Sequence, residues 1–151
     1  MCEQSKLMYR EELERLAVAD SCPCGNCQEV KDLEAFRYMY EPLSNPDNFL
    51  PQLLKAEKEG RVVRGYLETP DKICDAMALS FFLSAHFALA QYKALKGFPR
   101  LNPRYTVLGK CRLTEQDGVA SPANSNGHFN VHPYEEAPMQ NTFESFESLA
   151  L

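Results

Sequence analysis

An α-dominated α+β fold is predicted for this chain, with about four helices packed round one buried central helix at 69–97 and a small antiparallel sheet beside them. Three observations point there. The stretch TPDKICDAMALSFFLSAHFALAQYKALKG is long, mostly apolar and bounded by helix start and stop signals. Helical spacing of apolar residues recurs in separate stretches ahead of it. Short β-branched or aromatic runs flank it at 61–68 and 104–113.

The central segment opens on Thr69 as N-cap, with Pro70 in the first helical position and Asp71 against the positive helix end. Lys93 and Lys96 suit the negative end, and Gly97 can adopt the left-handed terminating conformation. Ile73, Met77, Phe81, Phe82, Leu83, Phe87, Leu89, Tyr92 and Leu95 occupy almost every face, so the helix belongs inside a protein or in lipid. Its length of about 20 residues would just cross a bilayer. Asp75, Ser80, Ser84, His86 and Gln91 interrupt the run, which favours a protein core over a membrane span.

Ahead of it, Tyr9, Leu13, Leu16 and Ala17 give an amphipathic first helix over 5–20. Val30, Leu33, Phe36 and Tyr40 give a second over 28–40, ended by Pro42. The SNPDN turn carries a new cap for a short third helix through Leu50, Leu53 and Leu54, stopped at Gly60. RVVRGYLE at 61–68 is too short and too β-branched for a helix and is assigned to a strand pairing with 104–113, where Gly109 marks a bulge or turn. A weak strand is expected at HFNVH. Residues 1–133 then form one globular domain, and 134–151 an acidic, mobile tail.

Net charge is −5, which argues against a general nucleic-acid or anionic-membrane partner. The distribution is uneven. Residues 69–113 carry two acidic and seven basic side chains, residues 114–151 six acidic and none basic. Lys93, Lys96, Arg100 and Arg104 therefore make a candidate anion site beside Phe98 and Tyr105. Pairing of the basic segment with the acidic one is the simpler account. MCEQSKLMYREELER lacks an apolar signal core, which suggests a reducing cytoplasm where the six cysteines are thiols or ligands.

Cys22, Cys24 and Cys27, in the pattern C-x-C-x-x-C, carry the strongest chemical signal. Pro23 and Gly25 can bend the backbone so that thiolates converge on zinc, the implied cofactor. Three ligands need a fourth, and the candidates are Cys74, Cys111, His128 and His132. On a strand, His128 and His132 would stand about 13 Å apart and could not share an ion. Cys24 and Cys27 can alternatively form a redox pair at a helix N-terminus.

Phe-Glu-Ser repeats at Phe143 and Phe146, and with Leu149 these residues can line a short helix that docks into a partner groove. Phosphate-loop, dinucleotide, nucleophile-elbow and zincin motifs are all missing from the sequence. The favoured function is a small cytoplasmic binding or regulatory protein acting through contacts with a protein partner or a second copy, with a metal or thiol site at its cysteine cluster. The alternative is a small thiol-redox or metal-dependent enzyme using Cys24 and Cys27, or the 128–136 segment with His128, His132, Glu135 and Glu136.

Overall fold

A buried strand divides the apolar middle of this chain into two helices. The computed structural model describes residues 4–23, 26–96 and 105–149. Five helices, α1 (Arg10–Arg15), α2 (Gln52–Lys58), α3 (Arg64–Leu67), α4 (Pro70–Ala76) and α5 (Ala85–Lys96), accompany seven strands among these residues. The strands are β1 (Gln28–Glu29), β2 (Leu33–Met39), β3 (Leu79–Phe82), β4 (Val107–Leu113), β5 (Gly118–Ala120), β6 (His128–Pro133) and β7 (Glu144–Ser148). They form one sheet in the order β1-β5-β6-β3-β2-β4-β7, antiparallel throughout. The helix-dominated prediction with a small sheet is overturned.

The supposed central helix is three elements. It starts as expected, with Pro70 at N1 and the Thr69 hydroxyl accepting from the Lys72 N–H at 3.1 Å. It stops at Ala76, and Leu79–Phe82 then runs between β6 and β2. Leu79, Phe81 and Phe82 are all buried, so both faces of β3 are covered. A strand covered on both faces shows no alternation, and its apolar run is indistinguishable by period from a buried helix. Ser84 accepts from the Phe87 N–H at 3.2 Å and thereby restarts the chain as α5. Among the described residues no helix is long and apolar enough to cross a membrane.

The same physics turned the expected helix over 28–40 into β1 and β2. Inside the sheet, Ala35, Phe36, Arg37 and Met39 are all buried, and the spacing that imitates a helix records burial on both sides. Residues 61–68 are not a strand. Val62 is 78% exposed and 64–67 form the single-turn α3, so β4 pairs with β2 and β7 instead. The expected strands at 104–113 and 128–132 are present as β4 and β6. The ladder between β4 and β7 shifts register between Leu108 and Gly109, where a bulge or turn is expected.

The segment 134–151, assigned to a mobile tail, supplies a 3-10 turn at Pro138–Asn141 and the edge strand β7. Alternating side chains of the strands enter different clusters. Ala35, Leu79, Phe81, Cys111, Leu113, Phe129 and Val131 pack with Ala137 and Met139 on one face. Phe36, Phe82 and Leu108 pack on the other face with Ala88 and Tyr92 of α5 and with Leu149. A third cluster joins α1, α2 and α4 to the β5–β6 end of the sheet through Leu7, Leu13, Val18, Leu53, Met77, Val119 and Tyr134.

Asp117, 1% exposed, ties the C-terminal segment to this framework. Its carboxylate accepts from the Thr114 N–H at 2.7 Å and the Met139 N–H at 2.6 Å, while its carbonyl accepts from the Tyr134 N–H at 2.8 Å. Asp117→Ala leaves two N–H groups without their acceptor. The expected destabilisation is about 3 kcal/mol, read from urea unfolding; a loss within a few tenths of the wild-type value would contradict this role.

Candidate functional site

Three buried donor side chains from distant parts of the chain converge beneath the N-terminal layer. Cys22 follows α1, where the chain reverses at Ala17 (φ 61°) and the Val18 carbonyl accepts from the Cys22 N–H at 2.9 Å. Leu13 and Val18 bury the inner side of this segment. Cys74 is buried on α4, in the same cluster as Leu13, Val18 and Met77. His132 projects from β6, which β5 holds in register through the Val119–His132 pair.

The Cys22 and Cys74 sulfurs are 2.09 Å apart, at disulfide distance, across 52 residues of sequence. His132 Nε2 stands 3.5 Å from the Cys74 sulfur and 3.8 Å from the Cys22 sulfur. Cys22, Cys74 and His132 are 1%, 5% and 5% exposed. The gap beside His132, lined by Leu7, Tyr9, Leu13, Met77 and Pro133, is too small for a water molecule. Burial drives the His132 pKa down to about 4, so the imidazole is neutral at neutral pH and offers a ring-nitrogen lone pair. Such a set suits a thiol pair or, once the cysteines are reduced, a soft divalent ion.

Of the metal ligands proposed from sequence, Cys22 and His132 enter this centre. Cys24 lies outside the described residues. Cys27 is half-buried against the same cluster, and among the described residues only Cys22, Cys74 and His132 bring donor atoms close enough to share an ion. His128 lies four residues from His132 on the same strand, against Phe82 with ring centroids 5.5 Å apart, and does not join them. Cys74 is the third donor, one the sequence named as a candidate without placing. The signal that could have placed it is the buried side of a short capped helix. Cys111 packs on the opposite face of the sheet, where burial pushes its thiol up to about 12 and leaves it unreactive.

The other sequence-predicted residues separate. Lys93 is exposed on α5 and Lys96 closes that helix, while Arg100 and Arg104 lie outside the described residues. Lys110 of the basic segment pairs with Glu144 of the acidic one at 3.0 Å. Phe143, Phe146 and Leu149 do not line a helix. Phe143 packs on Phe49 and Phe81, Phe146 lies edge-on to Phe36 at 5.1 Å, and Leu149 is 3% exposed. Of the three, only Phe146 lies within β7, with Phe143 and Leu149 flanking it.

No family model, curated protein or solved structure matches this chain.

The buried imidazole sets a pH signature. Unfolded, His132 takes up a proton below its ordinary 6.5; folded, only below about 4. Stability is therefore lost as pH falls between those values, by up to about 1.4 kcal/mol per pH unit. His132→Asn should flatten this part of the profile in urea unfolding at several pH values. In the wild-type protein the His132 ring resonances should not titrate above about pH 5. Ring resonances that titrate near 6.5 would contradict the buried neutral state.

Proposed function

We propose that this chain is a small binding or regulatory protein whose N-terminal layer is clamped to the sheet by a thiol–imidazole centre of Cys22, Cys74 and His132. The convergence of these three buried donors carries the reading. Their burial argues for a state-setting role over turnover, because a catalytic thiol needs a reachable, electropositive setting. Cys24 and Cys27 as a redox enzyme pair remain the competing reading. It would need chemistry outside this buried group.

Opening the clamp takes two electrons and two protons from a dithiol reductant. The S–S bond breaks, Cys22 and Cys74 become thiols, and the reductant becomes a disulfide. Zinc binding would then displace both thiol protons and use the His132 lone pair. We place the chain in the cytoplasm, where the dithiol state is the favoured one. Partner contacts are assigned to the β7 edge, where Phe146 is 47% exposed and an edge strand can template pairing with another chain.

Closing a 52-residue separation contributes up to about 4 kcal/mol in the chain-entropy picture. A dithiol reductant without zinc should lower the thermal midpoint of the full chain, and zinc should restore it while binding at about one ion per chain. Oxidised protein, Cys74→Ser and His132→Ala should each fail to bind. A reduced chain that keeps its midpoint and takes up no zinc in elemental analysis would end this reading.

A further inference from the structure

On the outer side of α4 lies a cleft of about 470 Å³, framed by α2, α3, α4 and the β3–β6 surface. That volume lies in the range of small-molecule sites. Its floor carries Ser80 of β3 with His128 and Asn130 of β6. Ser80 and Asn130 are direct cross-strand neighbours, and strand alternation places His128 on the same face. Lys72 and Asp75 stand one turn apart on the α4 wall; Tyr66 and Gln52 close the other sides.

These groups have little to bond within the chain. Gln52 donates to the Tyr105 hydroxyl at 2.9 Å, and the Asn130 amide reaches Asp75 only at 3.4 Å. Among the described residues, the side chains of Ser80, His128, Tyr66 and Lys72 make no hydrogen bond, and Lys72 forms no ion pair with Asp75. Burial lowers the His128 pKa, so its neutral ring can both donate and accept. Burial and then Asp71 raise that of Asp75, while Lys72 and His128 oppose the rise. A carboxylate so placed gains from an added cation.

The charge arrangement selects a ligand class. A simple anion would be attracted by Lys72 and repelled by Asp75, a simple cation the reverse; a molecule carrying both charges satisfies both. The hydroxyl, amide and imidazole groups of the floor suit a neutral polar tail. We propose that this cleft binds a small zwitterion, a free α-amino acid with a polar side chain, its ammonium on Asp75, its carboxylate on Lys72 and its tail over Ser80, His128 and Asn130. The site stands independently of the thiol centre.

The test is a titration of the full isotope-labelled chain with L-glutamine, followed by amide resonances. Saturable shifts are expected at Lys72, Asp75, Ser80 and Asn130. Glutaramic acid, which lacks the amine, and 4-aminobutanamide, which lacks the carboxylate, should each bind about tenfold more weakly. Asp75→Asn should abolish the preference for L-glutamine over glutaramic acid and keep the preference over 4-aminobutanamide. Lys72→Gln should do the reverse. Both residues are on the exposed side of α4, and the crossed pattern separates ligand contact from altered folding. No saturable shift, shifts confined to other surfaces, or variants that weaken all three compounds equally would each overturn the proposal.

Discussion

Double-sided burial of the middle strands is the constraint on which this molecule depends. β3 and β2 lie inside the seven-stranded sheet, and each of their faces needs a cover. α5 covers Phe36, Phe82 and Leu108. The segment after β6 covers Phe81, Phe129 and Cys111 from the other side. Once those covers are in place, α1 and α4 have the remaining end of the sheet to bury, and that is where Cys22, Cys74 and His132 meet.

The core also holds cations. Arg37, 5% exposed, donates to the carbonyls of Asn48 at 3.1 Å and Ser80 at 2.9 Å and lies over the Phe81 ring at 5.7 Å. Lys55, 7% exposed, sits 5.0 Å from the Tyr40 ring centroid and 5.2 Å from that of Tyr105. Burial pushes the Tyr105 phenol up, but Lys55, Arg37 and the hydrogen bonds from Gln52 and Lys55 together hold it below its ordinary value. Carbonyl dipoles and aromatic faces here do what carboxylates do for most buried cations. This fixes the 45–49 turn and α2 to the sheet, with Asn48 bonding both the N–H and the carbonyl of Tyr40.

What the residues disclosed and what they withheld divide along a physical line. Local signals were legible: the Thr69 cap with Pro70, the turn at Asn45, where the side chain accepts from the Asp47 N–H, and β4 with its shift at Gly109. These depend on neighbours a few positions away. Leu33–Met39 and Leu79–Phe82 were misassigned because burial on both faces erases the period of two that identifies a strand. Ser84 was legible only as an interruption until the strand before it was known. The site shows the same division. Cys22 and His132 stand out by type, whereas their meeting with Cys74 is set by tertiary packing across 52 and 58 residues.

The span between Cys22 and Cys74 has a consequence for how the chain comes to its native state. Within that span lie β1 and β2, yet each of their pairing partners, β5, β3 and β4, lies beyond residue 74. A covalent link formed early would enclose no native strand pair and would gain nothing from the sheet. On a ribosome the thiols could meet once α4 has emerged, but His132 arrives 58 residues after Cys74, with β6. The complete centre therefore requires the β5–β6 end of the sheet, which the span between the two cysteines does not contain.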